Sequence, residues 1–152
     1  MALDTVLLAV GKGDTDRIDR LAETAVDIAG PAGATVALAH VFAADEYDDV
    51  RAELDSDPDS ELTPDDVAKR YTAIHALGDV MSDSDIEFTC HGRLSDETTA
   101  GERIVELVEE LDADLVVVGG RKRSPTGKAV FGSVAQEVLL NSPRPVTFVR
   151  GD

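Results

Sequence analysis

Tryptophan is absent from the chain, and cysteine is reduced to a single residue, Cys90. One thiol cannot build an internal disulfide framework. Lysine is scarce as well: Lys12, Lys69, Lys122 and Lys128 stand beside ten arginines. Against these 14 bases there are 31 acids, a formal net charge of -17. So negative a chain excludes nucleic acid and anionic membrane as main partners, because phosphate contacts need positive faces. No apolar run approaches the ~20 residues of a membrane-spanning helix. The start, "MALDTVLLAV", lacks the basic region of a signal peptide, so a cytoplasmic location is expected. Abundant acid with little lysine suits a cytoplasm of concentrated salt, where screening relieves self-repulsion. An extreme halophile is the expected source.

What is present is a rhythm of short apolar runs and amphipathic stretches, read as one domain over 1–152. "TVLLAV" (Thr5 to Val10), "TVALAHVF" (Thr35 to Phe42) and "LVVVGG" (Leu115 to Gly120) are apolar enough for strands buried on both faces. "IEFTCH" (Ile86 to His91) alternates and reads as a strand nearer an edge, and "RPVTFVR" closes the series. Helical spacing runs from Asp14 through Ile18, Leu21, Ala25, Ile28 and Ala29, ended by Gly30, Pro31 and Gly33. A second helix starts at Thr63-Pro64, with its stripe at Val67, Tyr71, Ile74, Leu77, Gly78 and Met81. Thr99 with Glu102, and Ser133 with Gln136, have capping-box spacing at the start of two more. The acidic stretch Ala43 to Thr63 has no convincing period and is expected to be a loop or lid with at most a turn of helix. Strands alternating with helices predict an α/β fold: one doubly wound, five-stranded parallel sheet with helices on both faces. Ligands bind such sheets outside the strands' carboxyl ends, where strand order reverses. Only the first and fourth strands end in glycine turns, so those two are expected to be neighbours across the crevice.

One window opposes the chain's charge. "GGRKRSPTGKAVFGS" (Gly119 to Ser133) holds Arg121, Lys122, Arg123 and Lys128 and no acid. Glycines after a strand let backbone amides approach a ligand, and a helix N-terminus adds unpaired N–H groups. A phosphate or other small anion is the ligand this chemistry suits. Two nucleotide motifs do not apply. Lys122 stands where a Walker A loop needs its first glycine, and Ala129 where it needs Ser or Thr. Asp16 stands at the third glycine of a would-be G-x-G-x-x-G after the first strand. His40, inside an apolar strand, reads as a core residue, and Cys90 as a small buried apolar group. Cys90 and His91 point to opposite faces and make no metal site, and no nucleophile elbow is present.

The window resembles the signature of the universal stress protein family, whose ATP-binding members carry G-x-x-G, nine residues, then G-S or G-T. Gly119, Gly132 and Ser133 match it, and Lys122 replaces the second glycine. The resemblance extends through "VLLAV", "ALAHVF", "ELDADLVVVGGRKRS", "FGSVAQEVL" and "SPRPVTFVR", and the acid content marks a haloarchaeal-looking member. It implies an adenine-nucleotide site, for ATP or a relative, with or without magnesium. Ala9, Val10 and Gly11 would contribute from the end of the first strand, and Val41 would face the adenine. Val118, Gly119, Arg121 and Lys122 would surround ribose and phosphates, with Gly132, Ser133, Val134 and Ala135 at the helix end. Gly11 stands where the family's nucleotide binders have an acid. The resemblance further implies a homodimer through the last strand (Pro145 to Val149) and a regulatory role, with ATP hydrolysis at most slow and incidental. The other reading is a member without nucleotide, an interaction protein whose basic loop meets an acidic partner or anion.

Overall fold

Five strands, all parallel, form one sheet in the order β3-β2-β1-β4-β5. They are β1 (Thr5–Ala9), β2 (Thr35–Phe42), β3 (Phe88–Leu94), β4 (Leu115–Gly120) and β5 (Val146–Arg150). A computed structural model describes residues 3–54, 62–95, 98–120 and 132–150. Val6, Leu7 and Leu8 of β1 have no exposed surface, as a central strand covered on both faces requires. Even-numbered β1 residues Val6 and Leu8 meet α1 (Ile18–Ala32) and α4 (Thr72–Asp83) through Leu21, Ala25, Ile74, Leu77 and Met81. Leu7 and Ala9 face the other way, toward Ile104, Leu107 and Val108 of α5 (Ala100–Glu110) and Val138 of α6 (Ser133–Asn141). The period of two along β1 thus divides one strand between two cores. Each large aliphatic buried in this way contributes about 1.5–3 kcal/mol.

The predicted sheet stands, and β1 and β4 are paired neighbours where the strand order reverses. Several local expectations are corrected. Helix α1 does not stop at Gly30-Pro31 but runs to Ala32, with Gly33 in the left-handed region (φ 67°) as its cap. Proline is tolerated there because only the last turn is affected, while the left-handed cap favours a residue without Cβ. The third strand is Phe88–Leu94 rather than 86–91, and it is an edge strand, as its alternation suggested.

The helix after Thr63 is two helices, α3 (Pro64–Arg70) and α4, broken at Tyr71 (φ −66°, ψ 131°). Thr63 caps α3, as its sequence implied, and the structure adds a reciprocal box with Asp66. Tyr71 leaves the helical track to stack on His40, ring centroids 4.3 Å apart, a tertiary contact that overrides the continuous apolar stripe. The acidic stretch, expected as a loop, is helical from Ala44 to Leu54 (α2); residues 55–61 of it lie outside those described. Its weak periodicity hid the helix because few of its side chains are inward anchors. Tyr47 packs on Phe42 at 5.5 Å, and Val67 and Ala68 of α3 complete a small third cluster.

Candidate functional site

The polypeptide leaving β1 folds at once into a 3₁₀ segment, Lys12–Arg17. Asp14 holds that turn. Its carboxylate accepts from the Gly11 amide at 2.7 Å and from Arg17 Nε at 2.6 Å, and the residue is 6% exposed. A second guanidinium nitrogen, Arg17 Nη2, donates to the Gly13 carbonyl at 3.0 Å. The pair lies against β4. A Cβ at Gly119 would come within 2.8 Å of Asp14 Oδ1 and 3.0 Å of Arg17 Nε, so only glycine fits. The first glycine of the basic window is therefore required by a carboxylate–guanidinium pair from the β1 turn.

Beside this turn, β2 delivers His40, which is 2% exposed. Its Nδ1 lies 2.7 Å from the Val10 carbonyl and its Nε2 3.1 Å from Glu46 Oε1 on α2. The Tyr71 hydroxyl donates to Glu46 Oε2 at 3.4 Å. Burial, then the charge and hydrogen bond of Glu46, push the Tyr71 phenol up to about 12. This cluster pins α2 over the ends of β1 and β2. His40 is thus a satisfied core residue, with partners that no local sequence pattern announces.

These elements enclose a cavity of about 600 Å³ at the carboxyl ends of the strands. Ala9, Val10 and Gly11 line it from β1, Val41 from β2, Val118 and Gly119 from β4, and Gly132, Ser133, Val134 and Ala135 from the start of α6. Those are ten of the twelve residues singled out in sequence; Arg121 and Lys122 lie outside the described residues. The α6 cap is corrected: Gly132, not Ser133, is the N-cap, without a side-chain cap bond, and the Gln136 amide bonds the Gly132 carbonyl at 3.0 Å. Ser133 is the first helical residue and faces the cavity. Among the described residues, nothing lies within 4 Å of a Cβ placed on Gly132.

Sequence reasoning missed Lys12, Arg17 and the α2 acids Asp45, Glu46 and Asp49, all of which line the cavity. Lys12 and Arg17 sit in a turn of mixed charge, and the sequence of α2 lacks the apolar period that marks a helix. Elsewhere, Cys90 is half-buried in β3 with its thiol pushed up by burial, and His91 is pulled down by burial. Among the described residues no group of three or more His, Cys, Asp or Glu side chains could hold a metal ion.

The parallel sheet, its central β1–β4 switch point and the cavity outside the strand ends define a doubly wound α/β protein with a crevice where sheets of this class take ligands. The chain belongs to the universal stress protein family, whose model matches residues 3–150. A universal stress protein of Mycolicibacterium smegmatis is 35% identical over 81 residues, 53% of this chain and 61% of that relative. The match thus spans less than two thirds of that relative's length. Among solved structures, a universal stress protein from Archaeoglobus fulgidus superposes with a TM-score of 0.65 at 25% identity, covering 100% of both chains. A universal stress protein in complex with cAMP superposes with a TM-score of 0.68 at 20% identity, over 99% of this chain and 98% of that one.

Proposed function

We propose that this protein is an adenine-nucleotide-binding regulatory module of the stress response, with ATP or another adenine nucleotide held in the crevice cavity. The observation that carries the proposal is convergence. Ten residues scattered from Ala9 to Ala135 line one cavity of about 600 Å³, a volume ordinary for small-ligand sites. The cAMP complex of a family member with the same fold supports an adenine nucleotide as occupant.

The chain's residues suit such a ligand. Val41 and Val10 give apolar wall for a base, and the amides at the α6 N-terminus give donors for phosphate. By the family resemblance, Arg121 and Lys122 of the window would add charge to the phosphates. The described residues offer no metal cluster, so a magnesium ion would arrive on the nucleotide's own phosphates. The output is the bound state. Hydrolysis is at most slow and incidental, and His40, the histidine lining the cavity, has both ring nitrogens engaged. The working form is a cytoplasmic homodimer joined through Pro145 to Val149, a segment that includes most of edge strand β5.

Titration calorimetry of the full chain with ATP tests the reading. Wild type is expected to bind, and Lys122→Glu to abolish the heat. Absence of wild-type heat at high salt would favour the interaction protein without nucleotide. Unchanged heat in Lys122→Glu would remove Lys122 from the site.

A further inference from the structure

We propose that Arg17 binds the anionic end of the cavity's ligand from the β1 side, held ready for that task by Asp14. The inference rests on the nucleotide reading above and names a contact outside the glycine-rich window. Arg17 lines the cavity, yet its side chain is only 11% exposed, so it is fixed rather than waving in solvent. Of its five N–H donors, Nε–H goes to Asp14 and one Nη2–H to the Gly13 carbonyl. The other three have no partner among the described residues. They form the planar fork that matches a phosphate.

The opposite wall sets the direction. Asp45, Glu46 and Asp49 of α2 line the same cavity and repel a phosphate placed there, whereas Asp14, the lining acid of the β1 turn, has its charge offset by Arg17. Lys12 and Arg17 are the basic residues among the described cavity lining, and both sit on the β1 turn. The ligand's phosphate is therefore driven toward Arg17 and the α6 N-terminus, leaving the β2 side for its uncharged part. Asp14 is the positioning residue. It fixes Arg17 Nε, and with the Gly11 amide it closes the turn that presents the fork. A Cβ at Gly11 would sit at an ordinary 3.5 Å from Asp14 Oδ2, but a carboxylate at that position would bring like charges together.

The test compares ATP with adenosine, which lacks the phosphates, by calorimetry on wild type, Arg17→Gln and Arg17→Lys. Arg17→Gln is expected to weaken ATP binding at least about tenfold while adenosine changes less than about twofold, the loss of a charge-assisted contact. Arg17→Lys keeps charge and stem but not the fork. It is expected to give an intermediate loss for ATP alone, and it carries the comparison if the glutamine variant fails to fold. Unchanged ATP affinity, or equal loss for both ligands, overturns the role of Arg17 while nucleotide binding stands. A wild type that binds neither ligand overturns both readings.

Discussion

Gly119 and Gly120 look alike in sequence, but different neighbours demand them. Gly119 makes way for the Asp14–Arg17 pair, whereas a Cβ on Gly120 would run into the ring of Phe148 on β5. The expected reason for both, close approach of a ligand, was only a general one. Tyr71 gives the residue scale its prediction. Its phenol ionises at about 12 in the folded protein, against about 10 in an unfolded chain. A raised folded value means the contribution is complete below pH ~10 and is lost as pH rises toward 12. Denaturant midpoints measured between pH 9 and 11.5 are expected to fall more steeply for wild type than for Tyr71→Phe, which keeps the ring stacked on His40. Parallel slopes would show that Glu46 and burial do not hold the phenol neutral.

At the scale of elements, the caps at Thr63 and Thr99 were legible, while the α6 cap and several boundaries were not. Thr63 and Thr99 cap their helices through hydroxyls that accept from the Asp66 and Glu102 amides. Local chemistry decides such contacts within four residues, so sequence reveals them. The break at Tyr71 and the helix at Ala44–Leu54 depend instead on partners farther along the chain: Tyr71 stacks on His40, and its hydroxyl donates to Glu46 of that helix. The packing of α3 on β3 turns on Gly92. Its amide donates to Asp65 at 2.9 Å, and a Cβ there would overlap the Pro64 carbonyl. Gly92→Ala is therefore expected to destabilise the fold by about 1–3 kcal/mol in urea unfolding, through forced separation of helix and strand. A change within about 0.5 kcal/mol, the range of neutral surface substitutions, would contradict that close approach.

For the whole molecule, charge is the dominant fact. A net charge of -17 on 152 residues puts many acids on a surface with few ion-pair partners, and isolated exposed pairs contribute only ~0–1 kcal/mol each. Salt of molar strength shortens screening to ~3 Å and removes most of the repulsion. Light scattering and circular dichroism along a potassium chloride series are expected to find a folded dimer in molar salt. Near zero salt, unfolding is expected. A monomer at micromolar concentration in high salt would refute the β5 interface, and undiminished stability near zero salt would refute the halophilic reading.

Composition and local pattern by themselves determined the parallel α/β fold, because apolar runs of strand length between amphipathic stretches have few other ways to bury both faces. They also pointed to β1 and β4 as the pair flanking the crevice, since strand-ending glycines are visible in the chain. Only tertiary structure decided which charges meet in that crevice. Arg17 and Asp14 occur in an ordinary-looking polar turn, and Asp45, Glu46 and Asp49 in an unremarkable acidic run. Their roles come from the sheet's reversal at β1, which swings the β1 turn, α2 and the start of α6 around one cavity. Proximity across 100 residues of chain is a property of that packing, and no short stretch of sequence encodes it.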